Sequence, residues 1–214
     1  MNTIEQLHSF RRPEVKAVVP QGETIWLGTS NGLYRVHNQV LDICEDWRGH
    51  RISAMAATES GLLVSASHAN ESVLSVTDEQ GHRLHRLPAL PQDTVKSLLC
   101  SEGQILAGGK CGVYQLEEDK WRHLPDTQGA EVIGLTKCRE KLLAFCKKQG
   151  DRAYAGLLVS SDAGAHWQLE VETGYHDAII QANNDSYLTR WRGPWHAGSP
   201  IDYQKRPYSA ACQV

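Results

Sequence analysis

The apolar positions of this chain fall in short runs separated by polar turns, and the runs recur. Ile25-Trp26-Leu27-Gly28-Thr29-Ser30-Asn31-Gly32-Leu33-Tyr34-Arg35-Val36 matches Ile105-Leu106-Ala107-Gly108-Gly109-Lys110-Cys111-Gly112-Val113-Tyr114-Gln115-Leu116, position by position, 80 residues later. Two periods of about 40 residues fit that offset. Further copies fall at Leu62-Leu63-Val64-Ser65-Ala66-Ser67, at Leu142-Leu143-Ala144-Phe145-Cys146 and, less regularly, at Tyr187-Leu188-Thr189-Arg190-Trp191. A second register precedes the first: Val15-Lys16-Ala17-Val18, Ile52-Ser53-Ala54-Met55, Val95-Lys96-Ser97-Leu98 and Val132-Ile133-Gly134-Leu135, with Ala178-Ile179-Ile180 as a degenerate fifth. Polar turns such as Gln21-Gly22-Glu23 and Ser101-Glu102-Gly103 join the two registers, and the fourth copy uses Arg139-Glu140-Lys141 instead. Short apolar runs broken this way predict antiparallel strands.

A period near 40 with four strands per unit is the pattern of a β-propeller. A single four-stranded sheet exposes two apolar faces, so neighbouring sheets must cover them. The expected architecture is all-β, a single propeller domain over residues 1–214 with five four-stranded blades. The blades are placed at 14–50, 51–92, 93–130, 131–174 and 175–214. The fifth lacks a good outer strand, and Thr3-Ile4-Glu5-Gln6-Leu7-His8-Ser9-Phe10 is expected to supply it and close the ring. A fragment of a longer propeller, or an open array that dimerises, is the competing account.

Two family resemblances follow from these residues. Ile25-Trp26-Leu27-Gly28-Thr29 with Asn31-Gly32-Leu33-Tyr34 resembles the propeller repeat of two-component regulators, and the period is WD40-like. Ser160, Asp162, Gly164 and Trp167 resemble the Asp-box (BNR-like) pattern S-x-D-x-G-x-x-W, with His166 where that family has Thr or Ser. Both imply a propeller and neither implies one activity. Sialidases carry Asp boxes, but their catalytic Arg cluster and nucleophilic Tyr have no matching motif positions here. The Asp box reads as a turn device, with Trp167 expected to pack between blades.

Composition narrows the function. The 214 residues are 41% apolar and 22% charged with a net charge of -3, which argues against a dedicated nucleic-acid binder. No run approaches the roughly 18 apolar residues that span a bilayer. The start, Met1-Asn2-Thr3-Ile4-Glu5, does not read as a signal peptide, so a cytoplasmic protein with reduced cysteines and no membrane insertion is expected. Cys44, Cys100, Cys138 and Cys146 lie in or beside apolar strand patterns and read as buried hydrophobes. No metal-ligand spacing occurs, and neither metal nor cofactor is expected.

Candidate chemistry sits in two places. Glu14, Arg51, Asp93, Glu131 and Asp177, with His176 adjacent, stand directly before the innermost strands, at positions a propeller gathers at one channel mouth. Carboxylates there could split their pKa values or bind a ligand; for an enzyme, Glu14, Glu131 and Asp177 would be catalytic. The C-terminal segment instead interleaves aromatics with cations, through Arg190, Trp191, Arg192, Trp195, His196, Tyr203 and Arg206, the residue types that anchor protein interfaces. The reading that follows is a non-enzymatic propeller binding another protein as scaffold, assembly factor or sensor module. Its alternative is a small carbohydrate-active enzyme or ligand binder using the mouth carboxylates.

Overall fold

The computed structural model describes residues 13–69, 71–91, 93–147, 156–172, 177–182 and 185–190. They form β1 (Val15–Gln21), β2 (Thr24–Thr29), β3 (Gly32–His37) and β4 (Val40–Ile43); β5 (Arg51–Thr58), β6 (Gly61–His68), β7 (Glu71–Thr77) and β8 (Arg83–Leu87); β9 (Ser97–Ser101), β10 (Gln104–Gly108), β11 (Val113–Glu117) and β12 (Lys120–His123); β13 (Glu131–Cys138), β14 (Lys141–Lys147), β15 (Gly156–Ser160) and β16 (Gln168–Glu172); and β17 (Asp177–Ala182) with β18 (Asp185–Arg190). Each group of four is one sheet in sequence order, and β17–β18 is a two-stranded sheet. The only helical elements among the described residues are two 3-10 turns, Glu45–Trp47 and Pro125–Thr127.

The expected five four-stranded blades are therefore corrected to four, with two strands of a fifth unit. Beyond β18 the sequence loses its alternation, and Pro194 removes a backbone donor that a central strand needs. The rest of 175–214, and the proposed closing strand 3–10, lie outside the described residues.

Two compact units divide the chain: Met1–Ile105 with Leu116–Trp121, and Leu106–Gln115 with Arg122–Val214. In the first, the inner strands β1, β5 and β9 pack side by side. Its core joins Trp26 and Leu33, with Ala17 and Val19 against them, to Ile52, Met55, Leu62, Val64 and Ala66. In the second, Cys138, Leu143, Leu157 and Val159 form a core cluster.

The 80-residue repeat reaches the backbone hydrogen bonds. Cys44 N–H donates to Leu33 O and Leu124 N–H to Val113 O; Gly49 N–H donates to Asn31 O and Gly129 N–H to Cys111 O. Gly28 and Gly108 share a role as well. A Cβ on Gly28 would lie 2.7 Å from Ile52 Cγ2, and one on Gly108 would lie 2.5 Å from Val132 Cγ1. Only glycine lets the next inner strand approach so closely. In the fourth blade, Arg139 itself adopts φ 53°, so the turn forms without the glycine its counterparts use.

Candidate functional site

The inner strands β1, β5, β13 and β17 start within a residue of where the sequence placed them, β9 starts at Ser97 and not at Val95, and three carry a bulge just after the start. Register shifts fall between Val15 and Ala17, between Ile52 and Ala54, and between Val132 and Gly134. Such bulges re-aim side chains at strand ends. Glu14 precedes β1 and Arg51 opens β5. Glu14 is exposed and pairs with Lys16 at 2.5 Å. The Lys16 hydrogen bond, then its charge, holds the Glu14 carboxyl below its ordinary value, and Arg51 adds to this. An ionised carboxylate in a salt bridge is a poor general acid at neutral pH.

Asp93 stands before β9. Its carboxylate accepts the Thr94 N–H at 2.7 Å, and it lines a small cavity of about 90 Å³ with Ser53, Ser65, Ser72 and Thr94. Ser53, the bulge residue of β5, donates to Ser65 Oγ at 2.9 Å.

In the second unit, Glu131 opens β13 opposite Lys147 and is buried. Asp177 opens β17 directly opposite Arg190 at the end of β18. The register thus joins one residue from each of the two candidate groups. His176, Trp191, Arg192, Trp195, His196, Tyr203 and Arg206 lie outside the described residues. No group of three or more His, Cys, Asp or Glu side chains suited to a metal occurs among the described residues. Burial pushes the thiols of Cys44 and Cys146 up to about 12 and that of Cys100 to about 11, so all three are protonated at neutral pH. Cys138 departs from the reduced state expected for it and is disulfide-bonded.

Two polar latches, one in each unit, complete the picture: the second is built on the Asp-box turn, while the acids that anchor both, Asp46 and Asp126, were not legible. In the first, Asp78 accepts the backbone N–H groups of Gln80 and His82 at 2.9 and 2.8 Å and meets His82 Nδ1 at 3.1 Å. Arg83 N–H then donates to Asp46 Oδ2 at 2.9 Å. The Arg83 guanidinium lies 4.2 Å above the Trp47 ring, whose indole donates to Gly81 O at 3.0 Å. In the second, Asp162 accepts the His166 N–H at 2.9 Å and meets His166 Nδ1 at 2.7 Å, while Trp167 N–H donates to Asp126 Oδ2 at 3.1 Å. Ser160 Oγ accepts the Gly164 N–H at 2.8 Å. Trp167 is buried, with its indole donating to Gly164 O. The Ser160 and Asp162 side chains both bond within the turn, as the turn-device reading expects.

The feature that stands apart is a sheet face. Strand register makes Val15, Val18 and Ile25 of the first blade equivalent to Ile52, Met55 and Leu62 of the second. The latter three are 0%, 7% and 0% exposed, whereas Val15, Val18 and Ile25 are 48%, 57% and 44% exposed. In the fourth blade the corresponding Val132 and Leu142 are 0% and 3% exposed, and Leu135, the counterpart of Val18, is half-buried. Pro20, opposite Ile25, is also exposed, and Leu27, opposite Val18, is half-buried. Sequence reasoning missed this surface because the face has the same apolar pattern as its covered counterparts.

No family model matches this chain, and no curated protein matches it. Solved structures do. The extracellular domain of a hybrid two-component system from B. thetaiotaomicron is similar at 16% identity and a TM-score of 0.62, over 90% of this chain and 27% of that one. The GH74 enzyme of Niastella koreensis is similar at 13% identity and a TM-score of 0.65, over 83% of this chain and 33% of that one. The WD40 β-propeller domain of Doa1 gives 14% identity and a TM-score of 0.53, over 83% of this chain and 62% of that one. The chain thus spans less than two thirds of each of these neighbours. What the likeness and the meandering four-stranded sheets establish together is an all-β propeller fold.

Proposed function

We propose that this chain is a protein-interaction propeller whose principal contact surface is the open face of its first blade. The observation that carries the reading is that, among the described residues, Val15, Val18 and Ile25 stay exposed at positions that are buried in the second blade. Contiguous apolar surface of this kind marks interaction sites on soluble proteins. Its partner is a polypeptide presenting an apolar sheet face, the kind of surface that the first blade itself offers the second through Ala17, Val19, Trp26 and Leu33. The aromatic and basic segment from Arg190 through Trp191, Arg192, Trp195, His196 and Tyr203 to Arg206 is a second contact in this reading. In the carbohydrate-active alternative, Glu14, paired with Lys16, would serve as base or nucleophile and not as the general acid.

The test begins with a photo-crosslinking residue at Val18 or Ile25, used in the native host to identify a partner that is then purified. Val18→Lys and Ile25→Lys should each weaken its binding by about thirtyfold or more, the level of a hot spot, with the melting temperature unchanged. Leu84→Lys, at a residue equally exposed on β8, should leave binding intact. Unchanged affinity in the folded Val18→Lys and Ile25→Lys variants would contradict the proposal.

A further inference from the structure

Between the first two blades, at the end of the sheets away from Glu14 and Arg51, lies a half-open cleft of about 470 Å³. Its floor is fixed. Trp26, 1% exposed, donates its indole N–H to Gln21 Oε1 at 3.1 Å. The Gln21 amide in turn donates to Thr58 O and Gly61 O at 3.0 and 3.2 Å. Register puts Arg35 directly opposite Trp26. His37, two residues on, shares a hydrogen bond of 3.1 Å with Thr24 through Nδ1. The facing wall comes from two turns of the second blade and brings Glu59 and Glu79.

Arg35 is the anomaly. Its side chain is only 26% exposed. Its Nη1 reaches Glu79 O at 3.4 Å, its Nη2 stands 3.5 Å from Asp42, and its Nε has no partner. Both Nη contacts exceed the 2.7–2.9 Å of a well-made charge-assisted hydrogen bond. Guanidinium donors taken out of water without good acceptors carry a desolvation cost that a bound oxyanion offsets. The volume lies within the range of small-molecule sites, but the lining is more polar than is usual for them, which calls for a polar ligand.

The sign of the neighbours narrows the anion. Asp42 stands 3.5 Å from Arg35 and Glu59 and Glu79 line the same cleft, so a dianionic phosphate would bring two more negative charges to an already acidic surrounding. A carboxylate with a cation close behind it would not. We infer that the cleft binds the carboxylate of a zwitterionic ligand, an amino acid or short peptide, with Arg35 as the anion partner and the glutamates of the second blade facing the ammonium. The site is independent of the open face, because Trp26 and Arg35 belong to the opposite side of the first sheet.

The Trp26 indole N–H gives a local readout. In a nitrogen–proton NMR titration of the full chain, glycylglycine and free glycine should shift that resonance saturably, while acetate shifts it more weakly and inorganic phosphate does not. Arg35→Lys loses the bidentate fork and should weaken the dipeptide by about tenfold. Arg35→Gln should abolish the response. Should Arg35→Gln fail to fold, the folded Glu79→Gln variant serves instead: it should weaken glycylglycine and leave acetate unchanged. No response of Trp26 to glycine or glycylglycine would overturn the proposal. So would a response that survives Arg35→Gln, or phosphate binding as well as the dipeptide. Because the readout requires no protein partner, its failure is separable from failure of the interaction reading.

Discussion

The two latches use one plan with the tryptophan moved. In the first unit the indole comes from the 3-10 turn, as Trp47, and donates to the carbonyl of Gly81 in the Asp78 turn. In the second it comes from the residue after the Asp162 turn, as Trp167, and the 3-10 turn carries a buried Thr127 instead. The anchoring acid stays put: Asp46 and Asp126 both accept a backbone N–H from the chain just past an Asp-x-x-x-His turn. What the repeat preserves is thus the backbone-to-carboxylate bond and one large buried aromatic, while the element that supplies the aromatic is free to change.

The largest effects come from removing either indole. Trp47→Ala and Trp167→Ala should each cost about 3–5 kcal/mol in denaturant unfolding, the range for a buried tryptophan. Trp47 should sit at the upper end, since it is also the platform for Arg83. A cost under about 0.5 kcal/mol at either position, the value for a surface residue, would break the equivalence.

Glycine substitution sharpens the comparison at a smaller scale. Gly28→Ala and Gly108→Ala should each destabilise by about 1–3 kcal/mol through overpacking against Ile52 and Val132. Ile52→Ala should relieve the Gly28→Ala penalty, and Val132→Ala the Gly108→Ala penalty, in double-mutant cycles. Strictly additive costs would show that the close approach is not what those glycines serve.

The smallest effect is on pH dependence, and there two histidines have opposite signs: His50, whose Nε2 lies 2.8 Å from the latch residue Arg83, and His166 in the second latch. Burial, followed by the Arg83 charge, lowers the pKa of His50, so the folded state binds its proton more weakly than the unfolded chain. Stability is then lost as pH falls through about 6.5, the unfolded value. The Asp162 hydrogen bond raises the pKa of His166. That contribution is fully present below about 6.5 and lost as pH rises through the higher folded value. Melting temperatures from pH 5 to 8 should therefore flatten on the acid side in His50→Gln and on the neutral side in His166→Gln. The same slope change in both variants would contradict the assignment.

The fold was legible because the strand repeat is written in apolar side chains, which burial forces into register. The 80-residue match between Ile25–Val36 and Ile105–Leu116 survives as equivalent strands, glycines and backbone hydrogen bonds. The latch acids were not legible: Asp46 and Asp126 look like solvated turn residues until a chain some 40 positions away supplies the N–H. Of the mouth group, Glu14 pairs with its neighbour Lys16 and feels the Arg51 charge, while Asp93 lines a cavity with several hydroxyls, contacts that sequence spacing does not specify. The open face was invisible for a different reason. Val18 and Met55 carry the same message in sequence, and only packing shows that one is covered and the other is not.

That contrast is the centre of the account, and hydrogen exchange with the crosslink-identified partner tests it most directly. Amides of β1 and β2 should exchange more slowly when the purified partner is added, while those of β8, around the equally exposed Leu84, should keep their rates. Protection at β8 with none at β1 and β2 would contradict the assignment of the first-blade face as the interaction surface.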